Sequence, residues 1–272
     1  AIWTKEGSPL MTISVQLRDA VAKALGEDYQ VELAMRYQSP SIASQLEKFK
    51  GKYLKKLRII PLFPHYASAS TGSVHQEVMR ILSTWQAIPD VEFVNSYPVN
   101  AGMIRAFAEL GRVERPETFD HVLMSFHGLP ERQLIKADTQ NHCLQAKDCC
   151  QVWNDKNQYC YSAQCYATAK AIAKELNLSP DQYTVCFQSR LGKTPWVKPY
   201  TSEVIHRMAK EGKQRLLVFC PAFVSDCLET IFEVRVEYND EFKAEGGKEV
   251  VLVEGLNTHP TWVEALAGIC KG

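Results

Sequence analysis

Four stretches of this 272-residue chain hold residues able to do chemistry. In Met124-Ser-Phe-His-Gly-Leu-Pro130, His127 leaves an apolar run, Gly128 can turn the chain and Pro130 can fix it. An imidazole has an unperturbed pKa of about 6.5, so His127 can accept a proton near neutral pH or bind a metal. A lone histidine at the end of an apolar run can also be purely structural. The second stretch, Phe219–Thr230, runs into Ile231–Tyr238 and carries Glu229, Glu233 and Glu237 at intervals of four. That spacing places all three on one face of an α-helix. Such a face is ordinarily just solvated, but here Ile231, Phe232, Val234 and Val236 lie between the acids. A carboxylate row on an apolar helix can bind or relay hard to borderline divalent cations. The third stretch has the spacing C-x5-C-C-x9-C-x4-C, from Cys143 through Cys149, Cys150 and Cys160 to Cys165. Compact thiol sets of this kind hold Zn²⁺ or iron–sulfur clusters. The fourth, Pro61–Ser73, offers His65, Tyr66 and the hydroxyls of Ser68, Ser70, Thr71 and Ser73. Those hydroxyls serve equally well as helix caps and turn residues.

These residues need a scaffold. Apolar runs rich in β-branched and aromatic residues recur at Val31–Tyr37, Leu57–Phe63, Val91–Tyr97, His121–Phe126, Tyr183–Ser189, Arg215–Phe223 and Val250–Gly255. Helical periodicity marks Met11–Leu25, Ile42–Lys50, Ser73–Trp85, Ala101–Leu110, Ala163–Leu176, Ser202–Glu211, Leu228–Glu245 and Thr261–Ile269. Strands that alternate with helices predict an α/β fold of doubly wound parallel sheets. The order repeats. Leu57–Ser73 and Arg215–Glu229 both read strand, proline, aromatic, small polar residues, helix. We therefore expect an N-terminal half at 1–115 and a C-terminal half at 116–259 that includes the cysteine-rich insert 142–165. The last helix, 260–272, is expected to return to the first half. Ligands of open α/β sheets bind beyond the carboxyl ends of strands, where the four stretches fall. No G-x-G-x-x-G or G-x-x-x-x-G-K-[ST] is present, so nucleotide binding has no support beyond the fold class.

Composition narrows the partners. The chain is 46% hydrophobic, with 31 basic and 31 acidic residues and no basic stripe, which argues against nucleic acid. No apolar run reaches the roughly 18–20 residues that span a bilayer. There is no signal-peptide pattern at Ala1. These features predict a cytoplasmic protein and leave peripheral membrane contact open, and they do not fix an oligomeric state. Clustered cysteines in such a setting favour metal over disulfides. Cys186, Cys220 and Cys270 sit in apolar surroundings and read as small core residues.

Three segments together resemble the ferrochelatase family. Ser125-Phe-His-Gly-Leu-Pro130, Phe187-Gln-Ser-Arg-Leu-Gly-Lys-Thr-Pro-Trp196 and Ser225-Asp-Cys-Leu-Glu-Thr230 are similar to its motifs and lie in its order. Arg36-Tyr37 and Leu62–Ser73 match family segments as well. The resemblance implies two Rossmann-like domains with an active-site cleft between them, inserting Fe²⁺ into protoporphyrin IX with release of two protons. It implies His127 on one face of the macrocycle and Glu229 opposite, with Glu233 and Glu237 extending the acidic row toward the incoming Fe²⁺. Arg36, Tyr37, His65, Ser70, Thr71 and Trp196 would line the porphyrin cleft or its rim. The helix after Glu229 often contains a π-turn in the family. Cys227 departs from the pattern, because many relatives have histidine there. Family members begin with a strand and a lip that precede the segment resembling Ile2–Leu10, so a chain lacking them is expected to be poorly active alone.

Some bacterial members carry a [2Fe–2S] cluster on an internal cysteine-rich insertion at this place. The absence of a C-x2-C pair also makes a zinc ribbon a poor match. Four ligands must come from five cysteines, and sequence neighbours rarely both reach one cluster. The expected set is Cys143, Cys150, Cys160 and Cys165, with Cys149 as the alternate to Cys150. Two other functions are weighed against this one: a chelatase of the same fold for another tetrapyrrole such as coproporphyrin, and a non-catalytic haem or iron–sulfur carrier.

Overall fold

The computed structural model describes residues 2–5 and 7–272. Helix α1 (Pro9–Leu25) has Pro9 in its first turn, where a missing N–H costs nothing. It buries Leu17, Val21 and Leu25, one stripe spaced by four. Helix α2 (Ile42–Glu47) is capped by the Ser41 hydroxyl, which accepts from Ser44 N–H. Then follow β1 (Leu57–Ile59), a π-helical turn at Ser68–Gly72, α3 (Ser73–Leu82), β2 (Val91–Phe93) and α4 (Ala101–Val113). The second half contains β3 (His121–His127), α5 (Glu131–Ala137), α6 (Tyr161–Glu175), β4 (Tyr183–Gln188), α7 (Thr201–Lys210) and β5 (Arg215–Phe219). It continues through a π-helix at Glu229–Tyr238, α8 (Asn239–Ala244) and β6 (Glu249–Leu252) to α9 (Pro260–Lys271). None of the described helices is long and apolar enough to cross a membrane.

Both sheets are parallel. β1 pairs with β2, and the larger sheet runs β4-β3-β5-β6. In β3 the run from His121 to Phe126 is buried, as expected for a strand covered on both faces. From β3 the chain crosses to β4 on one side and then to β5 on the other. The crevice beyond the carboxyl ends of β3 and β5 is therefore the switch point where ligands of such sheets bind.

Several predicted elements changed. Val31–Tyr37 is not a strand, because the chain bridges only Met35 to Ser41 and turns at Gln38 (φ 67°) into α2. The other strands end early where proline removes a ladder donor: β1 stops before Pro61 and β5 before Pro221. The single helix expected over Leu228–Glu245 is a π-helix followed by α8.

Helix α9 packs on α1 and α4 of the first half. Thr261 Oγ1 donates to Glu109 at 2.6 Å, and Arg58 donates to the Ile269 carbonyl at 2.6 Å. A core cluster joins Leu17, Phe107, Phe126, Ile172, Phe219 and Trp262, so α1, α4, α6, α9 and both halves share one interior. Gly111 makes the α4 contact close, since a Cβ there would lie 2.5 Å from the ring of fully buried Phe219. Gly111→Ala should therefore lower unfolding stability despite its better helix propensity: overpacking costs about 1–3 kcal/mol and the propensity gain offsets at most about 1. A urea midpoint at or above that of the parent protein would contradict this.

Candidate active site

His127 closes β3 and pairs in register with Gln188 at the end of β4. Its Nδ1 lies 2.6 Å from the Gly128 carbonyl oxygen. A carbonyl only accepts, so Nδ1 carries the proton and Nε2 keeps a free lone pair. The ring sits 6.5 Å from Trp196 and 6.1 Å from Phe223, centroid to centroid. Phe223 follows β5, so these contacts place the imidazole at the switch point. Tyr161, first residue of α6, donates its hydroxyl to the His127 carbonyl at 2.9 Å. Gly128 has no room for a side chain: a Cβ would meet the Gln188 carbonyl at 2.9 Å and the Trp196 ring at 3.1 Å. The buried Trp196 Nε1 has no hydrogen-bond partner among the described residues.

The acidic row lies on the π-helix Glu229–Tyr238, which follows β5. Its bonds run i to i+5, and residues four apart still lie close to one face, but their surroundings differ. Glu229 and Glu233 are half-buried, whereas Glu237 is exposed. Gln188 joins the two sides. Gly128 N–H donates to the Gln188 carbonyl at 2.8 Å, and Gln188 Nε2 donates to the Glu229 carbonyl at 2.9 Å. Burial, and then the Glu229 carboxylate with which it shares a hydrogen bond, push the Cys227 thiol well above the usual cysteine range. Cys227 is thus a neutral donor beside Glu229. Asp226 fixes the loop before the helix, accepting from Thr230 Oγ1, Gly255 N–H and Asn257 Nδ2 at 2.8 to 3.1 Å.

The first-half residues divide. Arg36 donates to Ser73 and stacks on Tyr37, whose ring is 70% exposed. Ser70 is half-buried at the π-turn. Thr71 is fully buried, and its hydroxyl is unpartnered among the described residues. His65 does not line an open wall. It is 2% exposed, edge-on to Phe126 and Tyr161, with Nε2 2.8 Å from Thr168 Oγ1. Thr168 gives its one proton to the Pro98 carbonyl at 2.6 Å, so His65 Nε2 is the donor.

Burial pushes the His65 pKa down to about 3. Between that value and about 6.5 the unfolded chain binds a proton that the folded chain excludes. His65 therefore leaves stability undiminished above pH 6.5 and lowers it as pH falls below, by about 1.4 kcal/mol per pH unit. Urea titrations from about pH 6.5 down to 4.5 should show a steeper loss in the parent protein than in His65→Asn. Equal slopes would refute the assignment.

All nine cysteines are free. Cys149 Sγ lies 3.6 Å from Cys150 Sγ, and Cys150 shares a hydrogen bond with Cys160 that holds Cys160 below the usual thiol range. Burial pushes Cys143 up to about 11. Cys143 and Cys149 line both of two adjoining cavities, one completed by Cys160 and the other by Cys150. Cys165 is fully buried on α6, hydrogen-bonded to Tyr161 and within electrostatic reach of Cys150. Among the described residues no group of three or more His, Cys, Asp or Glu side chains is arranged to hold a metal ion. The donor chemistry at Cys143, Cys150, Cys160 and Cys165, with Cys149 beside them, fits a thiolate-ligated cluster, while the Sγ positions do not converge on one.

Gln188, Ser189, Phe223 and Tyr161 contact the site but did not stand out as candidates in the sequence. Gln188 and Ser189 fall inside the Phe187–Trp196 motif, which was the available signal.

Two solved chelatase-fold structures resemble the chain: SirB from Bacillus subtilis with Fe³⁺ (TM-score 0.60, 14% identity, covering 97% of this chain and 91% of that one) and CbiX, the terminal enzyme for siroheme biosynthesis in denitrifying bacteria (TM-score 0.56, 12% identity, covering 97% and 93%). At such identity they speak for the fold, the Rossmann-like chelatase fold. Curated ferrochelatases are far closer in sequence. That of Legionella pneumophila strain Lens is 40% identical over 269 residues, covering 99% of this chain and 80% of the relative. That of Stutzerimonas stutzeri is 41% identical over 273 residues, covering 100% and 80%. The family model described as ferrochelatase matches residues 1–272. With that match along the whole chain and curated relatives at about 40% identity, the chain belongs to the ferrochelatase family.

Proposed function

We propose that His127 and Glu229 carry out metal insertion by this family member in the crevice beyond β3 and β5. The family's reaction exchanges two pyrrole protons for one Fe²⁺, which is substrate here. The carrying observation is the free Nε2 lone pair of His127, held by the Nδ1 bond to Gly128 on the same scaffold as Glu229. Pyrrole N–H groups are weak acids, and a planar macrocycle keeps its nitrogen lone pairs in the ring plane. Binding energy from the apolar wall at Trp196 and Phe223 bends the ring and turns those lone pairs outward. His127 Nε2 then takes the two pyrrole protons in turn, releasing the first to solvent before it accepts the second. Glu229, with exposed Glu237 beyond it, supplies oxygen donors suited to Fe²⁺ delivery. Arg36, Tyr37, Ser70, Thr71 and Trp196 are proposed to contact the porphyrin, with protoporphyrin IX as substrate. The unpartnered Trp196 Nε1 and Thr71 hydroxyl support this, since buried polar groups ordinarily find partners. The domain reading is a half at 1–115 with α9 against it and a half at 116–259. Absorbance assays of Fe²⁺ or Zn²⁺ insertion into protoporphyrin against coproporphyrin, in full-length protein, test the function. Faster coproporphyrin turnover would reassign the substrate, and porphyrin binding without turnover would favour a carrier.

We also propose a [2Fe–2S] cluster in the cysteine segment, held by Cys143, Cys150, Cys160 and Cys165, with Cys149 as the alternate to Cys150. Such a cluster exchanges single electrons, which chelation does not need, so its role is structural or sensory. Purified protein should contain iron and acid-labile sulfide and absorb in the visible, and Cys160→Ala should lose both. Colourless protein with neither iron nor zinc would remove the cluster. The nine free thiols support a reducing, cytoplasmic setting. Exposed Trp3, Tyr37 and Tyr53 support peripheral contact with a membrane surface, which vesicle co-sedimentation would test.

A further inference from the structure

Glu233 is the middle member of the acidic row, and its surroundings differ from those of a metal ligand. Oε1 accepts from Ser189 N–H at 2.7 Å and from the Tyr238 hydroxyl at 2.7 Å. Oε2 accepts from the Ser189 hydroxyl at 2.5 Å and from Gln188 Nε2 at 3.1 Å. A carboxylate offers about four lone-pair sites, and four protein donors fill them. A divalent cation would have to displace these donors. Two of them, Ser189 N–H and Gln188 Nε2, belong to groups fixed by other bonds.

Gln188 is fixed from behind. It is 1% exposed, and its Oε1 accepts from Ser125 Oγ at 2.7 Å. Ser125 Oγ lies 2.9 Å from Thr201 Oγ1, and both side chains are fully buried. Ser125 spends its one proton on Gln188, so Thr201 donates to Ser125 and the amide cannot flip without leaving donors facing donors. Ser189 sits at φ 62°, a left-handed conformation uncommon outside glycine, asparagine and aspartate. In that conformation both its N–H and its hydroxyl reach the one carboxylate. Glu233 therefore closes the turn after β4 onto the π-helix. The same Gln188 touches Gly128 next to His127 and the main chain of Glu229.

We propose that Glu233 is a positioning residue rather than a ligand of the incoming metal. It clasps Ser189, Gln188 and Tyr238 and so sets the π-helix, and with it Glu229, against His127. This rests on the proposed roles of His127 and Glu229 and divides the row that the spacing made look uniform. Glu229 and Glu237 are left to meet the metal.

The test is steady-state Zn²⁺ insertion into protoporphyrin by full-length protein carrying Glu233→Gln, Ser189→Ala or Tyr238→Phe, with thermal unfolding to confirm folding. Glu233→Gln turns an amide toward at least one donor and should lower kcat about 10- to 100-fold, the scale of a misplaced reacting group. Its KM for Zn²⁺ should stay within about twofold, because no metal contact is lost. Tyr238→Phe and Ser189→Ala, which leave the carboxylate in place, should lower kcat in the same direction with KM for Zn²⁺ unchanged. A KM for Zn²⁺ raised about tenfold or more in Glu233→Gln, or kcat unchanged in all three variants, would overturn the proposal. Parallel His127→Ala and Glu229→Gln proteins keep the two failures apart. If those two turn over normally, the site itself is wrong, whatever Glu233 does.

Discussion

Replacing His127 by alanine is expected to abolish metal insertion while porphyrin still binds. General-base catalysis contributes about 10²–10⁴ in rate, and the loss should fall in kcat. Binding survives because the ring wall is built from other groups: Trp196 is anchored by the Val197 N–H bond to the Leu129 carbonyl, and Phe223 by its own N–H to the Cys220 carbonyl. The backbone at 127 survives too, because Tyr161 bonds its carbonyl and not its side chain. Turnover by absorbance and porphyrin affinity by fluorescence quenching separate the two effects. Truncation also leaves a hole beside Trp196 and Phe223 sized for an imidazole. Added imidazole should then restore part of kcat in the variant and none in the parent. Normal turnover by His127→Ala would remove the residue from the mechanism.

What the sequence disclosed depended on how local the controlling physics was. Parallel strands buried on both faces declare themselves as apolar runs, so β3 and β5 were readable to within a few residues. The run Val31–Tyr37 looked the same but lacked a neighbour to pair with, and pairing is not written locally. Proline set strand ends that hydrophobicity alone put too far along. The π-helix was the costliest ambiguity. Intervals of four read as a uniform acidic row, whereas Glu237 is exposed and Glu233 lies inside a cage of donors. Of those donors, Tyr238 lies on Glu233's own helix, while residues 188 and 189 are brought to it through the β4-β3-β5 order. His65 shows the converse error. A histidine after a strand end reads as reactive, but Thr168, Phe126 and Tyr161 enclose it from distant segments. Gly128, by contrast, could be read from sequence as a turn, and the structure adds the close approach of Trp196 as a second reason for it.

Glu229→Gln is expected to have an effect of similar size but in a different kinetic term. The side chain is half-buried beside a neutral Cys227 thiol, so its oxygens are not consumed in the way those of Glu233 are. Exchange for glutamine keeps the shape and deletes the charge. The Gln188 bond reaches the Glu229 main-chain carbonyl and is untouched, so the π-helix should hold its place and stability should change by no more than about 0.5 kcal/mol. A lost carboxylate ligand removes a few kcal/mol of metal stabilisation, which predicts a fall of about 10²–10³ in kcat/KM for the metal. KM for Fe²⁺ or Zn²⁺ should rise, porphyrin affinity should stay, and imidazole should not rescue. Delivery and proton acceptance would then be separable: one variant is limited by metal and indifferent to imidazole, the other saturates normally with metal and responds to imidazole. If Glu229→Gln instead keeps its metal KM and loses only kcat, Glu229 is the proton acceptor and the metal side must be sought at His127 Nε2.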